Sequence, residues 1–209
     1  MTTASTDLGF IHRFVPASIP GKPPILLLHG TGADETDLLP IGTQVSPGSA
    51  LLSPRGKVLE HGMPRFFRRV DEGVFDVADL TARTDELAHF VDRARQTYAL
   101  ERPIALGFSN GANIAWSLLL RHPKLLAGAV LLRAMLPFTP PPAPKFDNIP
   151  VLMLSGAMDP LVRPDMRDPL ADLFKSAGAD VTYQVVQGGH GLTQQDLDLM
   201  KAWFAAHQS

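Results

Sequence analysis

Apolar residues fall along this chain in two rhythms. Short, nearly uninterrupted runs at 25–29, 50–53, 103–108, 127–132, 150–155 and 181–186 read as strands, and Phe10 to Val15 adds an early one. Most show little polar alternation, which predicts strands covered on both faces, as in a parallel sheet. The segments between follow a helical period. Over 84–98, Leu87, Phe90, Val91, Ala94 and Tyr98 make one buried stripe. Segment 110–121 is apolar nearly all round, which predicts a core helix that stops at His122-Pro123. Segment 166–177 carries Leu170, Leu173, Phe174 and Ala177 and ends at Gly178, a suitable C-cap. A last helix starts near Thr193 and Asp196, spaced like a capping box, and buries Leu197, Met200 and Phe204. Strand and helix alternate without a repeat or a linker. The expected fold class is α/β, a mostly parallel twisted sheet with helices on both faces and no inserted helical lid, with residues 1–209 as one domain.

Chemistry enters where the run at 103–108 meets the core helix. Gly107-Phe108-Ser109-Asn110-Gly111 is a GxSxG pattern in a strand-turn-helix setting. A sharp turn there pushes the serine into a strained backbone conformation and presents its hydroxyl above the sheet, and glycines on either side let neighbouring backbone come close. Two later strand ends supply partners. Asp159 follows the run at 150–155, and His190 lies in Gly188-Gly189-His190-Gly191 after the run at 181–186. Asp165, Asp168, Asp172 and Asp180 compete less well as the acid, since none follows a strand end. His12, His61, His89, His122 and His207 sit in an early strand, a loop, two helices and the C-terminus, with no matching acid. The catalytic candidates are therefore Ser109, Asp159 and His190.

The strand at 25–29 ends in His29-Gly30-Thr31-Gly32, on the same side of the inferred sheet. A glycine-flanked loop there can offer a backbone N–H to a developing oxyanion. Thr31 and Asn110, the residue after the serine, are the expected oxyanion-hole donors through their backbone N–H groups. His29 is expected to orient this loop. No GxxxxGK[ST] or GxGxxG pattern is present there, so no nucleotide is implied, and without cysteine, HExxH or paired histidines a catalytic metal has little support. The expectation is an enzyme with no cofactor and no metal.

Strand-HGTG, GFSNG, the strand before Asp159, GGHG and the chain order Ser, Asp, His together resemble the carboxylesterase and phospholipase family of small α/β-hydrolases, which includes the acyl-protein thioesterases. The likeness runs over nearly the whole chain. The stretches Arg65-Phe66-Phe67-Arg68-Arg69, Gly107 to Asn113 and Leu132 to Pro137 look most like a bacterial branch that includes hydroquinone-associated hydrolases. Thioesterases of the family usually carry Gln-Gly-Gly after the serine where this chain has Asn110-Gly111-Ala112, so a protein-depalmitoylating role is not carried over. The resemblance implies the α/β-hydrolase fold, the triad and the oxyanion positions.

Composition narrows the partners. There are 19 Lys and Arg against 21 Asp and Glu, a net charge of −2 with no basic run, which argues against nucleic acid. No apolar stretch approaches the roughly 20 residues that span a bilayer. Residues 1–7 show no basic segment followed by an apolar core, so no secretory signal is expected, and the absence of cysteine fits a cytoplasmic location. Substrate preference rests on loops. The irregular stretch Gly56 to Val77 and the proline-rich Pro137 to Pro144 are expected to form the pocket rim, where Phe66, Phe67, Met135, Leu136 and Phe138 could pack on an acyl chain or be ordinary core or loop-anchoring residues. Arg65, Arg68 and Arg69 could attract an anion or form a solvated face. Exposed apolar rims could equally make a homodimer. The expected activity is a serine carboxylesterase acting on a small-molecule ester with a short to medium acyl chain. A thioesterase or lysophospholipase is the nearest alternative, and a receptor that binds without turnover a more distant one.

Overall fold

The computed structural model describes residues 8–139 and 142–207. Residues 1–7, where no secretory signal is expected, and Pro140 and Pro141 of the proline-rich rim lie outside the described residues. In chain order the elements are β1 (His12–Val15), β2 (Ile25–Leu28), α1 (Leu39–Val45), β3 (Leu51–Pro54), β4 (Val58–Glu60), β5 (Met63–Arg65), β6 (Arg69–Asp71), β7 (Val74–Phe75), α2 (Val77–Tyr98), β8 (Ile104–Phe108), α3 (Asn110–Arg121), β9 (Gly128–Leu132), β10 (Pro150–Gly156), α4 (Pro164–Ser176), β11 (Asp180–Val186) and α5 (Gln194–Ala206).

Seven strands form one sheet in the order β1-β3-β2-β8-β9-β10-β11. Only β1 pairs antiparallel, to β3; the other pairings are parallel. This is the α/β-hydrolase architecture, and it places the C-terminal ends of β2, β8 and β10 on one edge, where such sheets bind ligands.

Residue parity along the strands decides which layer each helix joins, because successive side chains point to opposite faces. Leu26, Leu28, Ala105, Ala129, Leu131, Val151 and Met153 pack with residues of α2, α3 and α4 in one core, including Leu87, Val91, Ile114, Leu118, Leu170 and Phe174. Ile25, Leu27, Ile104, Leu106, Val130, Leu132, Leu152 and Leu154 meet Val45 of α1 and Met200 and Phe204 of α5 on the other side. The central strands are thus apolar at nearly every position because each residue faces one core or the other, which is why they lack alternation. The edge strands β1 and β11 are the exceptions. Both alternate partly exposed and exposed positions over most of their length and carry polar residues.

Three elements differ from the sequence reading. Residues 56–77 are ordered rather than irregular: β4 pairs with β5 and β6 with β7 in two small antiparallel hairpins. The strands are too short for an alternation to show above a charged background. Helix α2 begins at Val77 rather than near 84, because Asp76 caps it by accepting from the Asp79 N–H. Helix α1 has no counterpart in the sequence pattern. Its seven residues are too few to show a period, and Gly42 fits it between Leu27 and Leu51.

Candidate active site

The turn between β8 and α3 explains its own sequence. Ser109 has φ +53° and ψ −112°, a conformation that costs a residue with a side chain of order 1–3 kcal/mol. The surroundings hold it there: its N–H donates to the Leu132 carbonyl at 2.8 Å, and its carbonyl accepts the first helical bond from Asn113 at 3.0 Å. A Cβ at Gly107 would lie 2.5 Å from the Gly111 carbonyl oxygen, and one at Gly111 only 1.9 Å from the Leu28 oxygen. The two glycines are therefore required for the helix to start this close to β2 and β8.

The structure brings the three catalytic candidates into one hydrogen-bonded line. His190 Nε2 lies 2.9 Å from Ser109 Oγ, and Nδ1 lies 2.8 Å from Asp159 Oδ2. The second carboxylate oxygen, Oδ1, accepts from the N–H groups of Leu161 and Val162 at 2.9 and 3.2 Å, so the Asp159 carboxylate is an acceptor on every side and its side chain is fully buried. With only acceptors at Asp159, the proton of the neutral imidazole belongs on Nδ1, which leaves Nε2 to accept from the serine hydroxyl. His190 keeps 24% of its side chain exposed, and its ring lies 5.4 Å from that of Phe108.

Thr31 and Asn110 both line the cavity over Ser109. Among the described residues, neither backbone N–H donates to a protein acceptor, so both are free to meet a ligand oxygen. The loop before Thr31 is set by His29. Its buried ring accepts the Gly56 N–H at Nε2, 3.0 Å away, which leaves Nδ1 to donate to the Gly30 carbonyl at 2.7 Å. Burial pushes the His29 pKa down, keeping the ring neutral in the form this arrangement needs.

The cavity has a volume of about 320 Å³, close to the lower limit for small-molecule sites. Of the five hydrophobic residues expected at its wall, the structure brings Met135 there. Phe66 and Phe67 are instead buried in the core, Phe66 against the His29 ring at 4.7 Å and Phe67 against Phe75 at 4.9 Å. Leu136 and Phe138 line a separate surface groove with Pro169 and Leu173. The apolar wall is made by Phe75, Phe108, Leu161 and Val162. Hairpin geometry accounts for the exchange: Phe66 and Phe67 form the link between the two hairpins and point inward, whereas Phe75 on β7 reaches the cavity. The arginine cluster divides. Arg65 and Arg69 line the cavity and share Glu60, while Arg68 turns away to Asp76.

Two side chains at the start of α3 do work that the sequence reading did not assign. Asn110 Oδ1 accepts the Phe66 N–H at 2.7 Å, and Asn113 Oδ1 accepts the Met135 N–H at 2.9 Å. They tie both rims of the cavity to the helix that carries the serine. The signal was present as asparagines buried in an otherwise apolar helix, where an amide needs partners. Among the described residues, no group of three His, Cys, Asp or Glu side chains could hold a metal ion, and no helix is long and apolar enough to cross a membrane.

Fold and site together define a class. A family model described as the alpha/beta hydrolase fold matches residues 53–147, and MhqD of Bacillus subtilis (strain 168), named as a hydrolase, is 43% identical over 182 residues, 86% of this chain and 91% of that protein. The chain belongs to the α/β-hydrolase family. Among solved structures it is similar to a Bacillus cereus carboxylesterase, 40% identical with a TM-score of 0.93 over 96% of this chain and 95% of that one. A carboxylesterase from Mesorhizobium loti is 32% identical, with a TM-score of 0.91 over 98% of each chain.

Proposed function

We propose that this protein is a carboxylic ester hydrolase of the serine type, acting from a single α/β domain on small esters with short to medium acyl chains. The observation that carries the reading is the unbroken line from Ser109 Oγ through the His190 ring to the buried Asp159 carboxylate. The two carboxylesterase neighbours support the bond class.

Ser109 Oγ attacks the acyl carbonyl while its proton passes to His190 Nε2. The oxygen of the tetrahedral intermediate gains negative charge and is met by the Thr31 and Asn110 N–H groups; one such donor is worth about 2.7–4 kcal/mol. Collapse expels the alcohol, which takes the proton from His190, and leaves an acyl group on Ser109. Water, deprotonated by the same nitrogen, then releases the acid. Asp159 keeps the ring in the tautomer that can accept the serine proton and stabilises the imidazolium. The small cavity sets the upper limit on the acyl chain.

The test is a series of p-nitrophenyl esters of rising acyl length, with matching thiol esters, given to the native protein and to Ser109→Ala. We expect turnover by the native protein, a burst of nitrophenol matched by a serine-bound acyl group, and loss of about 10⁴-fold or more in the variant. Equal rates for both proteins would overturn the reading.

A further inference from the structure

His190 sits in a loop with no conformational preference of its own. Gly188, Gly189 and Gly191 surround it, and glycine gives up more backbone freedom on ordering than any other residue. Something must hold the ring on the serine, and one buried side chain touches this loop on both sides of the histidine.

That side chain is Arg133, just past the end of β9, fully buried and with φ +58°. Its backbone N–H donates to the Leu154 carbonyl at 2.9 Å, extending the ladder to β10 by one step. The left-handed turn then sends the side chain toward α5. Nε donates to the Gly189 carbonyl at 3.1 Å and Nη2 to the Gly191 carbonyl at 3.0 Å. Nη1 and Nη2 each donate to one oxygen of Asp196 at 2.8 Å, and Nη1 also reaches the Leu154 carbonyl at 3.3 Å. A guanidinium has five N–H donors, and all five are used. Asp196 is equally committed: it accepts from Thr193 through both the backbone N–H and the hydroxyl, closing the capping box that starts α5.

We infer that Arg133 is a positioning residue for catalysis, setting the His190 ring between Ser109 and Asp159 by clamping the carbonyls on either side of it. The inference rests on the serine-esterase reading above. The planar fork is what the site uses, because the two loop carbonyls and the two carboxylate oxygens lie in fixed directions that a lysine ammonium cannot match. The arrangement also uses the strained backbone at Arg133 as a functional feature, since an extended residue there would not carry its side chain to the loop.

The experiment compares native protein, Arg133→Lys, Arg133→Ala and Ser109→Ala on the best ester of the series, with stability measured on each. A buried core variant far from the site, Phe174→Leu, calibrates destabilisation without displacement of the loop. We expect Arg133→Lys and Arg133→Ala to lose about 100-fold in kcat, the scale of a misplacement near 1 Å, with KM within threefold and an altered pH profile of kcat/KM. Phe174→Leu should keep its kcat, and added guanidinium should restore part of the activity of Arg133→Ala without raising its Tm. A kcat unchanged in folded Arg133→Lys, or a loss matched by Phe174→Leu at equal stability, would overturn the inference while Ser109→Ala still upholds the esterase. Activity retained by Ser109→Ala would instead remove the reading on which it rests. Should both Arg133 variants fail to fold, Asp196→Asn removes the carboxylate that orients the guanidinium, and so loosens its hold on the Gly189 and Gly191 carbonyls. Faster amide exchange at 188–192 with a lowered kcat supports the clamp, and native exchange with native kcat refutes it.

Discussion

The serine and the histidine of this site are both flanked by glycine, and the glycines serve opposite ends. At the elbow, a Cβ on Gly107 or Gly111 would strike backbone at 2.5 or 1.9 Å. In the histidine loop, a Cβ on Gly189 would come no nearer than 3.8 Å to its neighbours, and one on Gly191 would meet nothing within 4 Å. Ser109, the proposed nucleophile, is therefore held by contact between main chains, which leaves it one conformation. His190, the proposed base, is held mainly by side chains, those of Arg133, Asp196 and Asp159, beside one main-chain bond from the Met158 N–H to the Gly188 carbonyl at 2.9 Å. One half of the site is built into a local segment of the chain; the other half depends on side chains from just past β9, from just past β10 and from α5 arriving together.

The largest effect expected on the histidine half alone is that of Asp159→Asn. It keeps the shape but presents a donor where Nδ1 needs an acceptor, so the ring turns to the wrong tautomer. A loss of about 10⁴-fold in kcat is expected with little change in Tm. A loss under tenfold would mean that the loop orients His190 without the acid.

A second comparison puts one alanine on each side. Gly111→Ala forces the start of α3 away from β2 and should cost about 3 kcal/mol or more, read as a fall in Tm and in the native fraction. Gly191→Ala enters open space at a backbone that needs no positive φ, so stability within about 1 kcal/mol of native, or slightly above it, is expected. Equal costs at the two positions would erase the distinction between them.

The smallest effect is one of pH. Burial alone would raise the Asp196 carboxyl, but bonds from Arg133 and Thr193 outweigh it and hold its pKa below the ordinary value. A carboxyl whose folded pKa is depressed adds stability above its unfolded pKa, about 3.9, and loses that contribution as pH falls through the lower folded value. Acidification below about pH 4 should thus loosen residues 188–196 before residues 105–112, whose bonds at the elbow are between backbone groups. Amide exchange followed by mass spectrometry would show the order, and Asp196→Asn should flatten the difference.

Much of this arrangement was legible along the chain. Each of the seven sheet strands lies within two residues of an apolar run, most clearly in the five inner strands, where cover on both faces leaves few polar positions to blur the signal. Ser109 could be read from its glycines, since the steric demand is local. Asp159 and His190 were marked by lying just past strand ends. What the pattern hid was short or indirect. The hairpins at 58–75 are three residues or fewer per strand and carry charges, so the pattern leaves Phe66 and Phe67 open between pocket wall and core, which the structure decides for the core, and it does not mark Phe75. Arg133 lay in a stretch already singled out, yet its single charge within Leu132 to Leu136 carries no hint of five bonded partners. Asp196 was read as half of a helix cap, which it is, but its second partner is 63 residues away.

By itself, then, the order of residues determined the alternation of strand and helix, the two-sided burial of the sheet and the strained serine turn. Those depend on periodicity and on main-chain clashes between near neighbours. Only the tertiary structure decided which carbonyls Arg133 would clamp, which of the aromatic residues would face the cavity, and how far Ser109, His190 and Asp159 would stand from one another. These are distances between segments distant in sequence, set by how the two helix layers seat on the sheet, and no local preference of the chain encodes them.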